Sequence, residues 1–327
     1  MADASIPRRI RLAVIAVVSC AVAADTIIWA IACRRLDNGA RDAAAAAGWS
    51  LSADPARWRG WPFAAEIVLP NATLRSGPDI IPPLAWTADT QTLRLSAIHP
   101  NCLTISAAGP QSIALGDAPP LAFTAGRLVT TLDLTGADPA VLDATDLDIA
   151  APNGPVRIGS ARLDTRPDGL ATLLSTVSLP GSDGQPIQPP IDSLHVVARL
   201  STPVMPMPTA AESAKRWRAA GGHLNIDDAA LAWGPLAVSG TATLALDPAL
   251  QPTLTGHLAA TGLFAGLDRL VATGALTTSG ALALRGMLTI LAAPSGAGPV
   301  TLPVTVQNGT VSLARVPVLR LAPLRWD

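Results

Sequence analysis

The apolar positions along this chain follow two different periods. From Leu12 to Cys33 they are nearly continuous. At ~1.5 Å rise per residue, a helix over this run reaches ~33 Å, enough to cross the hydrocarbon core of a bilayer. Arg8, Arg9 and Arg11 precede the run, Arg34 and Arg35 close it, and Asp25 interrupts it just past the middle. A carboxylate at that depth costs ~2.5–3.5 kcal/mol on insertion scales. The neighbours Ile27, Ile28, Trp29 and Ile31 can offset that cost. The pattern predicts a cytoplasmic tail over residues 1–11, a transmembrane signal anchor over 12–33 and a juxtamembrane helix over 34–48, stopped at Gly48.

Two other readings of this segment remain open. Ala21-Val22-Ala23 fits a signal-peptidase site, with cleavage after Ala23. Cys20 or Cys33 could instead carry a lipid. The uncleaved anchor is preferred, because apolar character continues past Ala23 and ends on a double arginine. All three place the body outside the cytoplasm. The arginines flanking the run are balanced, so orientation rests on a short head preceding a long tail. The expected location is the bacterial inner membrane, crossed once, with the bulk of the chain in the periplasm.

Beyond residue 48 the period becomes two, the mark of strands. Ile67 and Leu69 share a face, as do Leu93 and Leu95. Leu147 and Ile149 oppose Asp146 and Asp148. The longest alternation is 236–246, where Leu236, Val238, Gly240, Ala242, Leu244 and Leu246 fall on one side. Asp247-Pro248 then turns the chain, and Leu254, Gly256, Leu258 and Ala260 continue the pattern on a partner strand. At 302–313, Asn308-Gly309 is the strongest two-residue hairpin signal. Placed at the turn, it sets Gln307 opposite Thr310, Val306 opposite Val311 and Val304 opposite Leu313.

Helical patterns are few. Residues 209–219 read as a short polar helix; 264–273 and roughly 278–292 fit helices, though both are apolar enough for strands. Residues 180–190 and 202–208 are Pro-rich linker candidates. They divide a 49–327 extracytoplasmic β domain into halves, 49–200 and 222–327. The expected fold is mainly β: a large antiparallel curved sheet, or sheets, as a sandwich or groove with a few short helices, after one N-terminal transmembrane helix.

Composition narrows the function. Charged residues make up only 14% of the chain, and 26 Gly with 30 Pro suit many short strands rather than a helical bundle. The net charge is −1 and no basic stripe with aromatics occurs, which argues against a nucleic-acid partner. Cys102 is the one body cysteine, so the body has neither an internal disulfide framework nor a zinc site of cysteine pairs.

Several stretches resemble a known family, the alphaproteobacterial envelope proteins grouped as domain of unknown function 2125. They are Gly60-Trp61-Pro62-Phe63, Leu95-Ser96-Ala97-Ile98-His99-Pro100-Asn101, and Leu231-Ala232-Trp233-Gly234-Pro235-Leu236 with Gly240-Thr241-Ala242-Thr243-Leu244-Ala245-Leu246-Asp247 and Gln251-Pro252. The Asn308-Gly309 hairpin fits too. The resemblance implies a membrane-anchored β domain and no activity. A looser similarity to AsmA-like β-groove proteins suggests lipid handling or envelope assembly, by analogy of fold alone.

No catalytic pattern stands out. His99, His195, His223 and His257 are scattered, without an HExxH or HxH pair. Asp143, Asp146 and Asp148 lack the Gly-kinked loop and bidentate Glu of a calcium site. There is no G-x-S-x-G elbow, P-loop or dinucleotide fingerprint. No cofactor, catalytic residue or metal ligand is expected.

Two candidate sites remain. One is an apolar groove of Leu236, Val238, Gly240, Ala242, Leu244, Leu254, Gly256 and Leu258, whose small residues would leave room for a ligand or let a second layer pack closely. The other is a membrane-interface patch of Trp58 with Arg57 and Arg59. The expected function is non-enzymatic: a membrane-anchored protein that binds or guides lipid or another apolar ligand in envelope maintenance, with lipid or envelope proteins as partners. A scaffold with a packed core is the alternative, and an envelope hydrolase a distant third.

Overall fold

The computed structural model describes residues 8–77, 83–116, 118–136, 138–151, 154–166, 169–181, 185–202, 209–272, 281–282, 285–286, 289, 299–314, 316–324 and 326. The chain opens with one unbroken helix, α1 (Arg8–Ala46), which covers the apolar run and the Ala-rich segment after it. Ala-rich sequence after Arg35 keeps it helical, and Gly48 ends it at φ 76.

Strands then follow one another almost without interruption. They are β1 (Trp49–Ser52), β2 (Arg57–Arg59), β3 (Ala64–Ser76), β4 (Leu84–Ser96), β5 (Cys102–Leu115), β6 (Leu121–Thr124), β7 (Arg127–Asp133), β8 (Ala140–Ala151), β9 (Gly154–Arg166), β10 (Gly169–Ser178) and β11 (Ile191–Leu200). After α2 (Ala210–Ala219) come β12 (Leu224–Trp233), β13 (Leu236–Leu246) and β14 (Pro252–Thr261). After α3 (Leu263–Ala272) come β15 (Val300–Gln307), β16 (Thr310–Leu313) and β17 (Val316–Arg320). The described residues form a 17-stranded sheet.

The pairing is an antiparallel meander from β3 onward, each line of the sheet bonding the next, with β1 and β2 on the outer edge of β3. β1 and β2 are one edge line, broken around Asp54-Pro55. β6 and β7 are likewise one line, both lying between β5 and β8. The sheet runs straight through the Pro-rich linker candidates, since β10 pairs with β11 and β11 with β12. The halves 49–200 and 222–327 are therefore parts of one sheet. The local readings at the C-terminal end hold: Val306 faces Val311, Gln307 faces Thr310, and Asn308 and Gly309 take φ 51 and 69. Of the 264–273 candidate, residues 264–272 are helical, within α3; residue 273 and most of 278–292 lie outside the described residues.

A crease crosses the first half of the sheet. Asn71, Gly109, Asp146 and Thr176 have positive φ (49, 79, 52 and 52). The flanking pairs set Asn71 opposite Asp89, and both Asp146 and Thr176 opposite Gly159. A left-handed residue breaks strand alternation, as a bulge does. In β3 the inward apolar residues are therefore Ile67 and Leu69 before Asn71, then Ala72 and Leu74 after it. In β8 they are Leu142 and Ala144, then Leu147 and Ile149. Asn and Asp tolerate this conformation, so the sequence can shift its phase and keep one apolar face.

The packed core sits at the two ends of that face. Cys33 and Leu36 of α1 pack on Ala65, Ile67, Leu69, Ala72 and Leu93. At the far end Leu267 of α3 packs on Val300 and Leu302.

Candidate functional site

Residues directly opposite each other on antiparallel strands share a face, so the register identifies what the sheet presents. Starting at Ile67 and crossing strand by strand, the partners are Leu93, Ile105, Thr130, Leu142, Leu163, Thr172, Val196, Ala229, Gly240, Leu258 and Leu302. A second row beside it runs Leu69, Gln91, Ala107, Leu128, Ala144, Ala161, Leu174, Leu194, Leu231, Val238, Ala260 and Val300. Neither row contains a charge, and only Thr130, Thr172 and Gln91 are polar. At ~4.8 Å between strands, this apolar lane from β3 to β15 is roughly 50 Å long. Its ends are buried under α1 and α3. Between Ile105 and Leu258 the first row is half-buried throughout.

The opposite face carries the charges. Arg157 pairs with Asp148 (3.3 Å), Arg162 with Asp143 and Asp164 (3.5 and 3.2 Å), Arg199 with Asp227 (2.7 Å), and His195 faces Asp228 at 3.2 Å. The hydrogen bond and charge of Arg199 hold the Asp227 carboxyl below the usual carboxylate range. Hydrogen bonding and charge from Asp164, with Asp143 adding charge, raise the Arg162 pKa further. These exposed pairs keep the outer face wetted but contribute little stability individually.

The groove residues expected from sequence all fall on the lane side. Leu236, Val238, Ala242 and Leu244 of β13 alternate inward, as do Leu254, Gly256 and Leu258 of β14, and Ala242 stands opposite Gly256. Leu236 lies under α3, where a methyl group at Gly266 would meet its side chain. Gly240 and Gly256 both lie close against the backbone of the neighbouring strand. A Cβ at Gly240 would lie 2.3 Å from the His257 carbonyl oxygen, and one at Gly256 would lie 2.4 Å from that of Thr241. They admit the neighbouring backbone of a coiled sheet. The sequence reading also stopped at β13 and β14. It missed the lane through β4 to β11, because only pairing across the intervening loops shows that the inward faces coincide.

The second expected site lies where α1 meets the sheet. Trp58 packs edge-on against Trp29 of α1, with ring centroids 6.2 Å apart at 84°, and Arg34 lies over its ring at 5.8 Å. It joins helix to sheet. Arg57 and Arg59 flank it, exposed. Trp29 Nε1 donates to the Ala64 carbonyl at 2.9 Å and the Arg59 carbonyl at 3.2 Å. A cavity of about 330 Å³ lies beside this junction, lined by Asp25, Ile28, Trp29, Pro62, Ala97 and Pro100 among others.

Of the histidines, His195 faces Asp228, and His223 Nδ1 lies 3.0 Å from the Gly221 carbonyl. Among the described residues no group of three or more His, Cys, Asp or Glu is placed to hold a metal. The Trp233 corner is structural: its Nε1 donates to the Pro189 carbonyl at 2.8 Å, and Arg269 of α3 donates to the Trp233 carbonyl at 2.8 Å.

No curated protein and no solved structure matches the chain. The family model of domain of unknown function 2125, described as an uncharacterized protein conserved in bacteria, matches residues 29–322. That match begins at Trp29, where α1 meets the sheet, and runs through the whole lane to β17; the chain is a member of the domain of unknown function 2125 family.

Proposed function

We propose that this protein is a non-enzymatic, membrane-anchored β protein whose apolar lane carries lipid acyl chains along the sheet. The observation that supports this reading is the uninterrupted row from Ile67 to Leu302. Acyl chains fit it better than a polypeptide does. The lane offers almost no hydrogen-bonding groups, and a peptide laid across it would leave its backbone N–H and C=O groups unpaired, at a cost of several kcal/mol each. A hydrocarbon chain has none to satisfy. The lane also begins beneath α1, whose Val17–Ala46 portion is long and apolar enough to cross a membrane. Lipid entering there would need to travel only past the helix.

The body is proposed to lie in the periplasm, at the inner membrane. A reporter enzyme active only outside the cytoplasm, fused after residue 327, tests that; activity of a cytoplasm-only reporter at the same site would place the body inside.

The lane itself is tested by a photoreactive benzophenone residue at Leu163 or Val196 in the full chain, irradiated in living cells. Adducts with the mass of a phospholipid are expected at both. Adducts to protein alone would favour the scaffold reading. A benzophenone on the charged face, at Thr241, serves as the control and should capture no lipid.

A further inference from the structure

We propose that the edge of the sheet beside α1 is itself seated in the bilayer that α1 enters, with Trp61, Phe63 and Ile98 in the interfacial layer. This inference rests on insertion of α1 and is independent of what occupies the lane. The argument begins with length. A bilayer core of ~30 Å entered at Leu12 is crossed near Ile31, at ~1.5 Å per residue. Trp29 lies within that span, yet its indole is bonded to the carbonyls of Ala64 and Arg59. Hydrophobic matching of the helix therefore draws the start of β3, and the turns beside it, down to the membrane boundary.

The side chains at that level fit the location. Phe63 is 77% exposed, Ile98 80% and Trp61 46%. Ile27, Ile28 and Ile31 of α1 are also exposed and continue the same apolar surface. In water these groups forgo roughly 1.5–3 kcal/mol each of burial for a large apolar side chain. Several backbone N–H groups in and beside these turns are already paired within the protein. The N–H groups of Phe63 and Ala64 both bond the Gly60 carbonyl, at 3.0 and 2.9 Å. That of Ala97 bonds Phe63 at 3.1 Å, and that of Cys102 bonds His99 at 3.1 Å. Asp25, the flaw in the apolar run, lines the cavity between α1 and the domain with Pro62, Ala97 and Pro100. Arg57 and Arg59, exposed on β2, stand beside the insertion, where anionic headgroup phosphates would meet them.

The test uses the full chain with its cysteines replaced by alanine, reconstituted in vesicles of phosphatidylethanolamine and phosphatidylglycerol, with folding checked by circular dichroism. Single nitroxides are placed at residue 18 in α1, at 63 and 98 in the two turns, and at 241 on the exposed charged face. Power saturation then compares collision with oxygen, which enters the bilayer, against a nickel chelate, which does not. Residues 63 and 98 are expected to favour oxygen, as 18 does, while 241 favours nickel. Nickel-favoured collisions at 63 and 98 with 18 still in the bilayer would overturn the seating of the sheet edge and leave the anchor intact. Nickel-favoured collisions at 18 would overturn both.

Discussion

The indole N–H of Trp29 donates to the backbone carbonyl of Ala64 over 2.9 Å, tying the middle of α1 to the first residue of β3. Four residues further along the helix, Cys33 is fully buried against the same strand. Replacing Trp29 by Phe keeps a ring there but removes the donor. A buried acceptor left unpaired costs about 1–2 kcal/mol. Alkylation of Cys33 by a maleimide is therefore expected to accelerate by roughly 5–30-fold, with the circular dichroism spectrum unchanged. Equal labelling rates would mean that the helix docks without this bond.

The two ends of the lane should differ from its middle in stability. Ile67 is fully buried under α1, and Ile67→Ala is expected to cost about 2–5 kcal/mol. Leu163 lies in the same row but is half-buried, so Leu163→Ala should cost about half as much or less. Urea denaturation midpoints measure both. Equal losses would mean that the middle of the lane is a closed core.

The close approaches at the glycines give an opposite pair of outcomes. Gly240→Leu places side-chain atoms where the His257 carbonyl already stands and is expected to disrupt the β13–β14 pairing, with loss of folded protein on expression. Ala242→Leu, on the same face but half-buried, is expected to express as a folded chain. Normal yields of Gly240→Leu would contradict the tight approach.

The Arg199–Asp227 pair predicts a pH dependence. Asp227 is held below the usual carboxylate range by Arg199, so its stabilising contribution is present above the unfolded value, about 3.9. It is lost as pH falls through the lower folded value. Arg199→Met should therefore lower the melting temperature slightly near neutral pH. Wild type and variant should converge as pH falls toward about 2. A difference that stays constant to low pH would mean that Arg199 acts through packing of its stem.

The sequence was most informative where structure is local. The 302–313 hairpin was readable because Asn308-Gly309 provides the two positive-φ positions of a tight turn, and Val304, Val306, Val311 and Leu313 then fall on one side. The alternation of 236–246 against 254–260 was readable for the same reason. The docking of α1 was not. Its inward stripe of Trp29, Cys33, Leu36 and Ala40 has helical spacing, but the residues around the first half of that stripe are equally apolar, so no face stands out. Ile98 and Phe63 carried a weak signal, large apolar residues in turn-forming segments near proline, that could have pointed to the edge proposed to meet the membrane.

Alternation along each strand determined which residues share a side, and the turn residues determined where strands reverse. Both depend on neighbours a few residues away, so the sequence by itself suffices. Only the tertiary structure decided that the inward sides of β3 through β15 join into one lane. Joining them requires the register across long connections such as 179–190 and 201–223, together with the phase shifts at Asn71, Asp146 and Thr176. It also decided that Gly240 and Gly256 serve the backbone of the next strand. Steric contact between residues distant in sequence is set by how the sheet coils, and no local pattern encodes it.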